Sequence, residues 1–351
     1  MQTLWFILVA AMLTMYVVLD GFDLGVGAIH PFVAKNDAER RMALRSIGPV
    51  WDGNEVWIIA AGGTLFFAFP TLYATSFSGF YLPLVIVLWL LMLRGVAIEL
   101  RSRFPSQVWA DFWDGTFFVG SSLLAFFFGV AMANVLRGVP LEKGVFFVPL
   151  WTDFNPFSAH PGVLDWYTVL IGLLAFTTLT AHGAAYMAVK TPDPLCSRAR
   201  NVSRAFWIIT LALLIPSTIT TWLVQQHISA NYFGHPWGFI FPVVALIGLV
   251  AMGLFFFNPT RSSRNDLSIF FSSCTYIVGI LGSAAFGLYP LVLPAVNPAN
   301  SLTVQDASAS SYGQTVGLVW WLIGMVLAIF YFVFTYRTFW GKVSLTSPEG
   351  H

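Results

Sequence analysis

"PVWDGNEVWIIAAGG", residues 49–63, reads as the opening of an apolar helix that carries two carboxylates, Asp52 and Glu55, in its first turn. Charge is scarce enough in this chain to make that placement a choice. Of 351 residues 57% are hydrophobic and only 9% charged, so an acid inside an apolar segment is rare. The composition implies an all-α integral membrane protein. A net charge of +1 supplies neither a basic field for nucleic acid nor an acidic tail for a basic partner. Cys196 and Cys274 stand far apart with no C-x-x-C pairing, so neither a disulfide framework nor a thiolate metal site is suggested. The apolar run from Leu4 has no basic stretch before it and no A-x-A site behind it. It reads as a first spanning helix that is retained.

A helix needs about 20 mostly apolar residues to cross the hydrocarbon. Nine segments qualify on this reading: 4–29, 51–70, 76–98, 112–134, 163–187, 205–227, 238–257, 268–290 and 315–340. They form one membrane domain over 1–351, with spans one to four in 1–134, five to eight in 163–290, and the ninth at 315–340. Lys and Arg collect on the cytoplasmic side of a membrane protein. Fourteen of the 17 fall in the odd-numbered loops and the C-terminus, against two, Arg137 and Lys143, in the others; Arg94 lies inside span three. The N-terminus is therefore expected outside and the C-terminus in the cytoplasm. A faint overlay of "LDGFDLGVG" (19–27) on "TAHGAAYMA" (180–188) hints at two four-helix units plus one peripheral helix.

In that frame Asp20, Asp23, Asp52, Glu55 and Arg94 all fall near the cytoplasmic ends of spans one to three, while spans six to eight hold no charge. Buried acids are costly and usually face a bundle interior or a wet cavity. If the four acids and one arginine converge, not all can be ionised together, so the group should hold and exchange protons. Other readings stay open. Asp52 with Glu55 fits a helix cap closed by a capping box, and a cap and a proton carrier do not exclude each other. Asp20 and Asp23 read as buried, because the apolar GVGAI of 25–29 continues past them. Arg94 either snorkels along its stem or pairs with Asp20 or Asp23. Trp51 and Trp57 read as an interfacial belt and a packed neighbour, with a quinone or haem-edge contact as the alternative. Glycines 21, 25, 27, 62 and 63 permit close helix packing. Of six histidines only His30 and His182 lie in or at the end of spans, so no facing pair to hold a haem is expected.

"LDGFDLGVG" (19–27), "GPVWDGNEVWIIAAGG" (48–63) with "FSGFYLPL" (77–84), "LRGVAIELRSR" (93–103) and "LYPLVLP…NSLTVQDASAS" (288–310) together resemble subunit II of the bacterial cytochrome bd-type quinol oxidases. The resemblance implies a heterodimeric terminal oxidase of the bacterial inner membrane that oxidises quinol and reduces oxygen to water. It places the b-type and d-type haems in the partner, subunit I, and no cofactor or metal in this chain alone. It leaves open a structural quinone, bound lipid and small single-span accessory subunits. By motif position Asp52 matches the proton-pathway carboxylate of this subunit and Asp23 an acid the family shares, with Asp20 beside it. Glu55 stands where a variant of the motif has Gln. Arg94, Glu99, Trp51 and Trp57 are expected as ion-pair or supporting side chains. A proton-coupled secondary transporter and a purely structural scaffold are the competing readings.

Overall fold

The computed structural model describes residues 1–142, 147, 153–258 and 263–344. Lys143 and Arg261, and the side chain of Arg264, all counted in the loop charges above, lie outside the described residues. In lipid only bonds within a segment can satisfy the backbone, and the chain answers with helices. They are α1 (Gln2–Val33), α2 (Asp37–Ile47), α3 (Trp51–Ala68), α4 (Pro70–Gly79), α5 (Tyr81–Leu100), α6 (Gln107–Arg137), α7 (Trp166–Lys190), α8 (Leu195–Val224), α9 (Gln226–Gly234), α10 (Ile240–Phe256), α11 (Ser263–Leu288) and α12 (Ser311–Thr338). A short antiparallel pair, β1 (Leu291–Leu293) with β2 (Leu302–Thr303), closes the connection before α12.

Eight helices among the described residues are long and apolar enough to cross a membrane. The segment expected as span two is the helix α3, but its opening turn carries Asp52, Asn54 and Glu55 and leaves it outside that class. The expected third span, 76–98, is broken at Phe80 into α4 and α5. Two further differences concern polar segments. The basic linker after span one contains the amphipathic helix α2, capped by the Asn36 side chain accepting from Glu39 N at 2.9 Å. Helices α8 and α11 extend past spans six and eight to take in Arg198, Arg200 and Arg204 on one and the buried Asp266 on the other. The region read as free of charge is therefore edged by an ion pair, Arg200 with Asp266 at 2.7 Å.

Helix α1 is the centre of the bundle, packed by α3, α6 and α7. Its residues from Asp20 to His30 are all buried. Glycines permit that density: a Cβ on Gly25 would sit 2.0 Å from Leu179 O, and one on Gly183 would sit 2.5 Å from the Gly25 backbone. The contact joins Gly25 to Gly183, whereas the sequence overlay pairs Gly25 with Tyr186.

The capping reading of Asp52 does not hold. Helix α3 starts at Trp51, the capping position belongs to Val50, and no side chain caps it. The turn at 48–50 leads directly out of α2, so the helix has begun before Asp52 is reached. A capping box does exist elsewhere, at the start of α7, where Asp165 and Thr168 exchange side-chain and backbone bonds.

Candidate functional site

Three of the four acids singled out from sequence, Asp20, Asp23 and Glu55, come together with the arginine. Arg94, projecting from α5, reaches Asp20 Oδ1 of α1 at 2.7 Å and Glu55 Oε2 of α3 at 2.9 Å through the same Nη2. Asp20, Asp23 and Arg94 are fully buried, and Glu55 keeps 19% of its side-chain surface. Arg94 therefore pairs and does not snorkel. Asp20 and Asp23 share a face of α1 by their three-residue spacing. Asp23 Oδ2 accepts a 2.8 Å hydrogen bond from Asn54 Nδ2, and Asn54 Oδ1 accepts at 2.9 Å from the Tyr336 hydroxyl of α12. Two carboxyl groups, Asp20 and Glu55, thus share one guanidinium, and a third, Asp23, is held beside them by Asn54. Both oxygens of Asp20, Oδ1 of Asp23, and Nε and Nη1 of Arg94 are buried without a hydrogen-bond partner, the Asp20 contact lacking the angle of one. Buried polar atoms in native proteins rarely stay so unless water or function uses them.

Asp52 is not inside this cluster. It is exposed at the start of α3, three positions before Glu55 and on the same face. Trp51 lies over Gly95, where a Cβ would come within 3.3 Å of its ring. Trp57 is buried against Phe332, ring centroids 5.5 Å apart. Glu99 is exposed, away from the cluster.

A second polar network, which the sequence reading missed, locks the same end of the bundle. Asp114 of α6 receives Arg101 Nε at 2.6 Å, Arg40 Nη1 at 3.0 Å and His30 Nε2 at 3.3 Å, while Arg101 Nη2 also reaches Asp37 at 2.8 Å. The signal was available, since Asp114 is an acid inside the fourth expected span. This network docks α2 onto α1, α5 and α6. Outside the spans, burial pushes the Asp37 carboxyl up, but the Arg101 hydrogen bond and charge outweigh it and hold the group below the usual range. At Glu39 burial is likewise outweighed, by Arg198. A depressed carboxyl stabilises the docked state above its unfolded pKa of about 4, and that contribution fades as pH falls through the folded value. The protection factors of the α2 amides, exchange rates taken relative to the unprotected rate at the same pH, should therefore fall below about pH 4 from their level at about pH 7; equal protection at both would refute the account.

His182 of α7 is buried, with Nδ1 bonded to Ser273 Oγ at 2.6 Å and Nε2 to Val18 O at 2.9 Å. His30 uses Nδ1 on Gly27 O and Nε2 on Asp114. Both ring nitrogens of each are engaged, so neither fits a haem iron as placed. Among the described residues no group of three His, Cys, Asp or Glu side chains could hold a metal ion. An apolar cavity of about 330 Å³ lies between α1, α6, α7, α8 and α11, lined among others by Tyr16, Phe128, Leu174, Ser217 and Ile280. Tyr16 stands one turn before Asp20 on α1, so the cavity and the acid cluster meet there.

A family model for cytochrome bd terminal oxidase subunit II matches residues 1–339. The chain belongs to that family. It is 31% identical to the probable cytochrome oxidase subunit 2 of Haemophilus influenzae, covering 98% of this chain and 95% of the relative. It is 30% identical to the cytochrome bd-I ubiquinol oxidase subunit 2 of Escherichia coli K12, over 99% and 96%, and 30% identical to the cytochrome bd ubiquinol oxidase subunit 2 of Bacillus subtilis, over 99% and 98%. The structure of bd oxidase from Geobacillus thermodenitrificans contains a chain that superposes with a TM-score of 0.74 at 15% identity, covering 96% of this chain and 98% of that one. That likeness speaks for the fold. For a cytochrome bd subunit II, the residues the sequence reading passed over are Asn54, the neutral partner of Asp23, Tyr336, which bonds Asn54 in turn, and the Asp114 network.

Proposed function

We propose that this chain is the haem-free subunit of a heterodimeric terminal oxidase that oxidises quinol and reduces oxygen to water, and that its buried acids help carry protons to that reaction. The observation that supports the proton role is the cluster of three carboxyl groups around one guanidinium, Asp20 and Glu55 paired with it and Asp23 held by Asn54, with several of their atoms unpartnered. In this reading the partner subunit's haems supply the electron transfer from quinol to oxygen. This chain's residues hold and move protons. Asp52, exposed at the mouth, takes a proton from the cytoplasm. Glu55 on the same face, then Asp20 and Asp23, hold it inside, with Arg94 fixing the resting charge and Asn54 steadying Asp23.

The orientation that serves this is nine crossings with the N-terminus outside and the C-terminus in the cytoplasm, in the bacterial inner membrane. The fourteen-to-two bias of basic residues supports it. Two units, α1–α6 and α7–α11, meet at Gly25 and Gly183, with α12 peripheral. The 330 Å³ cavity is of a size and polarity that suits a quinone or lipid tail as a structural ligand; accessory single-span subunits would attach elsewhere.

The test is quinol-driven oxygen consumption by the co-expressed two-subunit complex with Asp52→Asn, beside its haem absorption. Because Asp52 is exposed and caps nothing, the substitution should leave assembly intact and lower turnover a few-fold. Unchanged turnover would favour the scaffold reading. Purification separates the transporter, which would come without a haem-coloured partner.

A further inference from the structure

We infer that Tyr336 is a positioning residue of the proton route, setting the orientation of the Asn54 amide and through it the presentation of Asp23. The inference rests on the proton role proposed above.

Asn54 is fully buried and has one end toward each neighbour: Nδ2 donates to Asp23 Oδ2 at 2.8 Å, and Oδ1 accepts from the Tyr336 hydroxyl at 2.9 Å. An amide has a donor end and an acceptor end, so an ionised carboxylate beside it admits only the donor end, whereas a protonated carboxyl admits either. Against an ionised Asp23 the NH2 must face inward, as it does here. A protonated Asp23 keeps an acceptor oxygen but gains an O–H donor, which only the amide carbonyl can meet, and when the carbonyl turns inward the NH2 needs an acceptor on the far side. A tyrosine hydroxyl both donates and accepts, so Tyr336 partners Asn54 in either orientation. A phenyl ring partners neither. Tyr336 bonds Asn54 and not Asp23, so it turns the amide and does not itself relay the proton.

The chain takes trouble to hold Tyr336 there. Helix α12 buries only Gln314 and Thr335 outright, and Phe332 and Tyr336 pack partly buried against the core. The residues just after it add to that hold. Lys190 Nζ donates to Phe339 O at 2.6 Å, Lys342 Nζ to Thr191 O at 2.5 Å, and Val343 N to Lys190 O at 2.8 Å. These bonds tie the end of α12 to the end of α7, within two turns of the Tyr336 hydroxyl.

The experiment compares Tyr336→Phe, Asp23→Asn and Asn54→Leu in the co-expressed complex. For Tyr336→Phe the expected result is a kcat per haem lower by about fivefold to tenfold, with quinol KM and haem spectrum unchanged. The carboxyl C=O stretch that Asp23→Asn removes from the redox-difference infrared spectrum should shift in Tyr336→Phe. Adding Tyr336→Phe to Asn54→Leu should cost nothing more, since the two act as one unit. A normal kcat per haem with less assembled complex would make Tyr336 merely structural and overturn the inference, as would an unmoved band. If Asp23→Asn loses turnover and Tyr336→Phe keeps it, this inference alone fails. If Asp23→Asn keeps turnover, the proton role fails and this inference falls with it.

Discussion

Replacing Arg94 with leucine should strip the membrane of assembled complex. Arg94 is fully buried and faces Asp20, also fully buried, at 2.7 Å, with Glu55 at 2.9 Å. Removing one partner of a buried pair leaves the other as an uncompensated charge, at a cost of about 3–5 kcal/mol. A domain with roughly 5–15 kcal/mol of stability has little room for that. Here two acids lose their counter-charge at once, and Asp23, one turn away on the same face, adds to the repulsion. The measurement is the haem difference spectrum of membranes co-expressing both subunits, with immunodetection of this chain. The informative companion is the triple variant Arg94→Leu, Asp20→Asn, Glu55→Gln, which removes the charges together. Swapping a whole buried ionic group for neutral side chains is often nearly neutral for stability, so assembly should return while turnover does not. Wild-type levels of complex in Arg94→Leu alone would show that the three-way ion contact is not what holds α1, α3 and α5 together.

That prediction was half legible in the sequence. Scarcity of charge made Asp20, Asp23, Glu55 and Arg94 conspicuous, and loop bias put them at one end of the bundle, because both signals come from the cost of charge in lipid. Neutral partners carry no such cost and so no such signal. Asn54, inside the quoted W-D-G-N, and Tyr336, near the end of the ninth expected span, carry no charge to mark them. Their bonds depend on α12 returning beside α3, a contact between residues 282 positions apart in the chain. Asp52 failed in the opposite way. D-x-x-E is a good local match to a capping box, but capping depends on where the preceding turn releases the backbone, and here α3 has started one residue too early. Asp114 was overlooked although it stood in an apolar span. Its partners come from α1, α2 and the end of α5, and α2 itself was hidden because an 11-residue helix of mostly polar residues has none of the periodicity of a span.

Asp23→Asn separates a proton carrier from a structural acid more cleanly than any other single change in the cluster. The amide oxygen can still accept from Asn54 Nδ2, and the new NH2 would occupy the side of Oδ1, which has no hydrogen-bond partner to lose. Shape and the Asn54 bond are kept, and one buried negative charge beside Asp20 is removed, so the complex should assemble with its haem absorption intact. What the amide cannot do is bind and release a proton. Positioned proton transfer is worth typically a factor of 10² or more, so quinol-driven oxygen consumption per haem should fall by ~100-fold with the KM for quinol unchanged, since quinol is oxidised on the partner in this reading. Asp23→Glu, which keeps a carboxyl but displaces it by a methylene, should recover part of the rate. A scaffold subunit would give the reverse pattern: Asp23→Asn, isosteric and relieved of a charge, would turn over normally, and Asp23→Glu, forced into a site with no exposed surface, would be the variant that loses assembled complex.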